Sequence, residues 1–166
     1  VLALHALGVP LHHVIDERAE AFFALGVARE TGVLAPLLCT SGTALAHYLP
    51  ALIEASETRL PMLVLSADRP PELHGWGANQ TIAQHGIFGR FVRAELDLGV
   101  PESLAQVEDW GPRLTHFLSA GLVGPDVGPL HLNVPLRVPL EPSAVPDEEA
   151  REALASVRSW AARTVR

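Results

Sequence analysis

Apolar and polar positions alternate along this chain in a pattern that predicts short strands separated by helices. Val1 to Gly8 has the spacing of a helix ended by a glycine, and Leu11 to Ile15 reads as a short strand. From Asp16 to Arg29, Ala19, Phe22, Phe23 and Gly26 recur on one side, which is helical spacing, before Thr31-Gly32 stops it. Leu34 to Cys39 is an apolar strand followed by the polar turn Thr40-Ser41-Gly42-Thr43. Helical period returns from Ala44 to Ala55 through Leu45, Tyr48, Leu49 and Leu52. Pro61 to Ser66 is nearly all apolar, as expected of a strand covered on both faces.

From Ala67 to Gly89 both periods fail, and the stretch is rich in Pro, Gly, Asn, Gln and His. A loop of this length in a compact domain tends to be functional. Phe91 to Leu96 reads as a strand, Glu102 to Ala120 as an amphipathic helix and Pro129 to Val134 as a last strand. Alternation of this kind predicts the α/β class, three αβα layers around a mainly parallel sheet. After Pro135 the chain turns proline-rich at Pro139, Pro142 and Pro146, then shows a helical stretch from Asp147 to Arg163. The expected division is one domain over residues 1–140, with residues 141–166 a linker and terminal helix leading away from it.

Composition narrows the function. With 166 residues, 48% hydrophobic and 19% charged, the chain can bury a core and is too apolar to be disordered. Twelve basic against nineteen acidic side chains give a net charge of -7, which opposes nucleic-acid binding and favours a small-molecule partner. One cysteine, Cys39, allows no intrachain disulfide, so a reducing cytoplasm fits. The apolar start, interrupted by His5, is too short for membrane insertion. With neither an initiator methionine nor a polar lead-in before Val1, the chain is expected to begin inside a domain.

In an open parallel sheet, ligands bind beyond the carboxyl ends of the strands, where loops and helix N-termini converge. Three polar clusters fall at such ends: Asp16-Glu17-Arg18, Thr40 to Thr43, and Asp68-Arg69 with the loop behind it. Each alone has a plainer role. The acidic pair complements a helix dipole, Thr40 or Ser41 caps a helix, and Arg69-Pro70-Pro71 makes a rigid turn. Their shared edge is what suggests a site. Cys39 has no neighbouring base, the eight histidines lack metal-ligand spacing, and no glycine-rich nucleotide loop occurs.

Several runs resemble the pyrimidine-binding domain of thiamine-diphosphate enzymes: His13 to Arg18, Phe22 to Gly26, and Cys39-Thr40-Ser41-Gly42-Thr43-Ala44. Leu49 to Ala55, Ser66-Ala67-Asp68-Arg69-Pro70-Pro71-Glu72-Leu73 and Gly77-Ala78-Asn79-Gln80-Thr81-Ile82 are similar to one branch in particular, the synthases of 2-succinyl-5-enolpyruvyl-6-hydroxy-3-cyclohexene-1-carboxylate (SEPHCHC). The match runs from about Val1 to about Pro139. It implies that Glu17 hydrogen-bonds N1′ of the cofactor's aminopyrimidine in a dry pocket, with Thr40, Ser41, Gly42 and Thr43 lining that pocket. It also implies that Arg69, Asn79 and Gln80 face two carboxylate-bearing substrates, 2-oxoglutarate and isochorismate. In this family 2-oxoglutarate is decarboxylated and the succinyl-semialdehyde unit is added to isochorismate, on the way to menaquinone.

Family members also carry an upstream strand with a Pro-Gly-Ser-Arg turn, and a Gly-Asp-Gly motif that holds Mg²⁺ and the diphosphate in a separate domain. Neither motif occurs here. The resemblance therefore implies a pyrimidine domain lacking its N-terminal strand, inactive alone. It would complete its site against the diphosphate domain of a partner subunit in a homodimer or homotetramer. Two other readings stay open: an acetolactate-synthase-like branch of the same superfamily, and a non-catalytic binding domain of the same fold.

Overall fold

Four strands, all paired in parallel, form the middle layer: β1 (Ala35–Cys39), β2 (Met62–Asp68), β3 (Ala94–Asp97) and β4 (Leu130–Pro135), in the spatial order β1-β2-β4-β3. This is a computed structural model, and it describes residues 4–5, 8–140, 148, 151–152, 155 and 159. The helices are α1 (Glu17–Thr31), α2 (Thr43–Ala46), α3 (Leu49–Thr58) and α4 (Leu104–Leu122). Side chains alternate across each strand. Leu37, Met62 and Val64 meet α1 and α3 on one face, while Leu63, Leu65, Leu130 and Leu132 meet Phe117 of α4 on the other. The three-layer α/β architecture expected from the alternation is the one observed.

Helix α1 starts where Oδ1 of Asp16 accepts a 2.8 Å hydrogen bond from the N–H of Ala19, and it stops at Gly32, whose φ of 68° is left-handed. Its buried stripe is Ala21, Ala24, Leu25 and Ala28. The period was legible but the phase was not, since Phe22 and Phe23 of the expected inward face remain half-exposed. Small alanines bring the helix axis close to β1, an approach that phenylalanines would prevent.

Three further expectations are corrected. Residues Leu11 to Ile15 form no strand, and Ile15 is fully exposed. Among the described strands β1 is an edge, so these residues have no ladder partner, and an unpaired strand gains nothing from its propensity. The single helix expected from Ala44 to Ala55 is two, broken at His47-Tyr48 before Pro50, which occupies the first turn of α3, where its missing N–H costs nothing. The strand expected from Phe91 begins only at Ala94, after a 3₁₀ turn over Gly89–Phe91.

Leu4 and His5 are helical and Gly8 turns with φ 71°. The rest of the helix expected over Val1 to Gly8, and most of the linker and terminal helix expected over residues 141–166, lie outside the described residues.

Candidate functional site

Because every strand runs the same way, the segments after β1 and β2 emerge on one edge of the sheet. There the first turn of α1, the turn 40–43 and the loop 77–82 surround a cleft of about 570 Å³, within the range of small-molecule sites. Glu17, Thr40, Ser41, Gly42 and Thr43 form one wall, and Asn79 and Gln80 belong to the other. Of the residues to which the resemblance gives a role, all but Arg69 line this cleft, while Asp16, Arg18 and Asp68 of the polar clusters do not.

Glu17 opens α1 and is half-buried, with no hydrogen bond from its carboxylate to another described residue. The dry pocket expected around it is only partly built by this chain. At the end of β1, the Cys39 thiol is pushed up to about 12 by burial. A hydrogen bond with Tyr48 partly opposes the rise, and the carboxylates of Glu20 and Glu17 add to it. Such a thiol stays protonated at neutral pH and is no nucleophile. Tyr48, itself buried, donates a 2.6 Å hydrogen bond to Glu20 and so fastens the first turn of α1 to the α2–α3 corner.

The two walls touch through main chain. Gly42 adopts φ 88° and ψ -146°, and an added Cβ would meet the Cα and carbonyl oxygen of Gln80 at 3.2 Å. Gln80 is itself left-handed, at φ 54°. Arg69 works from behind the loop: its Nε donates to the carbonyl of Asn79 at 3.3 Å, its N–H to Asp68 at 2.7 Å, and its carbonyl accepts from His74 at 2.9 Å. It braces the residues that line the cleft and is not among them.

The sequence reading missed a buried polar network under the cleft. Gln84 accepts from the N–H of Gly42 at 2.7 Å and donates to the Ala67 carbonyl at 3.0 Å and to Oδ1 of Asn133 at 2.9 Å. The Nδ2 group of Asn133 donates to Asp68 at 2.9 Å and to Asp97 at 2.8 Å, while its Oδ1 also accepts from Ser66 at 2.9 Å. Ser66 Oγ in turn lies 2.8 Å from Nε2 of His131. A signal was present: His131, Asn133 and Ser66 are polar residues inside otherwise apolar strands, where polar groups persist only when satisfied. His47 at the end of α2 also lines the cleft and was not singled out.

Among the described residues no group of three or more His, Cys, Asp or Glu side chains is placed to hold a metal ion, and no helix is long and apolar enough to cross a membrane.

Comparison with known proteins adds the following. The family model for the N-terminal TPP-binding domain of thiamine pyrophosphate enzymes matches residues 1–87. The chain is 53% identical over 129 residues to a 2-succinyl-5-enolpyruvyl-6-hydroxy-3-cyclohexene-1-carboxylate synthase of Chlorobium phaeovibrioides, an alignment covering 78% of this chain and 22% of that protein. Synthases of the same name from Haloquadratum walsbyi and Chlorobium phaeobacteroides are each 50% identical, over 135 and 145 residues. These cover 81% and 87% of this chain and 22% and 24% of theirs. The chain thus spans about a quarter or less of the length of these relatives.

Proposed function

Since the chain belongs to the thiamine pyrophosphate enzymes through their N-terminal TPP-binding domain, we propose that it is the pyrimidine-binding part of a SEPHCHC synthase. That enzyme decarboxylates 2-oxoglutarate and transfers the resulting succinyl-semialdehyde unit to isochorismate in menaquinone biosynthesis. The observation that carries the reading is the convergence of Glu17, the turn 40–43 and Asn79-Gln80 on one cleft, with the Glu17 carboxylate free of any described protein partner.

These residues fit an aminopyrimidine. A flat heterocycle needs a slot bounded by main chain, and the Gly42–Gln80 approach supplies a wall that any larger residue at 42 would fill. A ring nitrogen that carries a proton needs an uncommitted carboxylate, and Glu17 is one. Bound thiamine diphosphate supplies the carbon centre that accepts the electrons released when a 2-oxo acid loses carbon dioxide. The chain's own part is to bind, orient and hold a proton. Glu17 accepts a hydrogen bond at N1′ of the ring, and burial beneath a neighbouring domain strengthens that bond by excluding water. Thr40 to Thr43 border the ring with hydroxyl and main-chain groups. Asn79 and Gln80 offer amide donors to substrate carboxylates, and Arg69 steadies their loop and adds positive charge behind it.

Residues 1–140 are the pyrimidine domain in this reading, and 141–166 lead to the next one. The diphosphate and its Mg²⁺ are held outside this chain, by the diphosphate domain of a partner subunit in a cytoplasmic homodimer or homotetramer. The test is turnover by the full-length enzyme containing this segment. Release of carbon dioxide from 2-oxoglutarate that depends on thiamine diphosphate and Mg²⁺, coupled to consumption of isochorismate, is expected. The isolated chain is expected to be inactive. Preference for pyruvate as both donor and acceptor would instead mark an acetolactate-forming enzyme and end the proposal.

A further inference from the structure

One residue joins both walls of the cleft without lining it. We infer that Gln84 is a positioning residue: a buried clamp that sets the spacing between the turn 40–43 and the loop 77–82, and hence the width of the slot. The inference rests on reading that slot as the pyrimidine pocket.

Gln84 is 1% exposed, and its side chain binds three separate pieces of the fold, the Gly42 turn, the end of β2 at Ala67, and β4 at Asn133. Its orientation is unambiguous. Only the carbonyl oxygen can accept from the Gly42 N–H, which leaves the amide N–H groups to face the Ala67 carbonyl and Asn133 Oδ1, both acceptors. Asn133 cannot substitute for it, because its own amide is already committed to Ser66, Asp68 and Asp97. Among the described residues, no other side chain hydrogen-bonds to residues 40–43. Gln84 also follows Gln80 by only four positions. Holding Gly42 with Gln84 therefore fixes the turn relative to the same loop whose Gln80 backbone packs against Gly42.

A buried N–H left without its acceptor would draw the turn outward to find water or another partner. The consequence is specific: the slot changes width while Glu17 and the chemistry it serves stay in place. Cofactor affinity should suffer more than turnover at saturating cofactor.

The experiment uses the full-length enzyme carrying Gln84→Met, which keeps the shape and removes the polar atoms. A control, Phe117→Leu, destabilises the opposite layer. Expected for Gln84→Met are a KM for thiamine diphosphate raised about tenfold, kcat within about threefold of the parent, and amide exchange in the peptide containing residues 40–43 accelerated about tenfold. The control, at a similar loss of thermal midpoint, should move none of these. Should Gln84→Met fail to fold, Gln84→Asn, one methylene short of its partners, reads the same quantities in the same direction. Parental KM and exchange in the Gln84 variant, or equal changes in the control, would overturn the clamp. If instead the parent enzyme fails to bind thiamine diphosphate, the proposed function falls, while the exchange comparison still decides whether Gln84 holds the turn.

Discussion

Gly42 and Gln80 meet backbone to backbone, with a Cβ added to the glycine standing 3.2 Å from the Cα and carbonyl oxygen of the glutamine. The two walls of the cleft therefore meet through main chain. This contact, the buried amides beneath it and the free carboxylate beside it lead to three expectations, and the buried His131 ring to a fourth.

Gly42→Ala should destabilise the fold by about 1 to 3 kcal/mol, because φ 88° with ψ -146° suits glycine alone and the new methyl presses on Gln80. The denaturant midpoint should fall at constant m-value. An unchanged midpoint would mean that the loop yields without cost.

Glu17→Gln should lower the turnover of the full-length enzyme by roughly a hundredfold to ten-thousandfold. It keeps the shape and removes the charge that holds a proton at the ring. No described protein partner is lost, so stability should stay within about 0.5 kcal/mol of the parent. Parallel activity assays and thermal melts check both halves, and a rate near that of the parent would remove Glu17 from the mechanism.

Asn133→Leu should cost about 3 kcal/mol or more. It strips partners from Ser66 and Gln84 and leaves the carboxylates of Asp68 and Asp97 without the amide donor they share. Combined with Gln84→Met, the losses should fall short of their sum, because both variants break the Gln84–Asn133 bond. Strict additivity in a double-mutant cycle would show that the two amides act independently.

Stability should decline as pH drops below about 6.5, through His131. This ring is fully buried; burial holds its pKa below the ordinary histidine value, and Glu95 only partly opposes that. Ser66 gives its own proton to Asn133, so Nε2 of His131 donates to Ser66. The other nitrogen, Nδ1, has no hydrogen-bond partner and lies 3.6 Å from Glu95, which in turn pairs with His85. Below the ordinary value the unfolded chain takes up a proton that the native ring refuses, so stability rises with pH up to that point and then levels. Thermal midpoints between about pH 5.5 and 7.5 should show this slope, flattened in His131→Gln. Equal slopes in the two proteins would exclude this residue as the cause.

Much of this molecule was readable from local pattern. Strand positions followed from short apolar runs. The α1 stop followed from Gly32, and the shared edge of Thr40 to Thr43 and the loop beyond β2 followed from strand–helix alternation, which makes the sheet parallel, whereas Glu17 reaches that edge without the strand expected before it. These properties depend on near neighbours in the chain, and near neighbours are what a sequence displays directly.

Tertiary structure alone decided the rest. Residues 11 to 15 have strand character but lack a partner, and a ladder needs two strands. The inward phase of α1 went to the alanines because contact with β1 rewards close approach, not the larger side chain. Arg69 turned to the carbonyl of Asn79, and Gln84 to Gly42, forty-two positions away, through hydrogen bonds that exist only once the chain has folded. Burial and long-range pairing are properties of three-dimensional neighbours, so the sequence by itself named Glu17, Thr40 to Thr43, Asn79 and Gln80 of the cleft, and only the fold added His47 to its lining and showed that Arg69 and Gln84 hold its walls from behind.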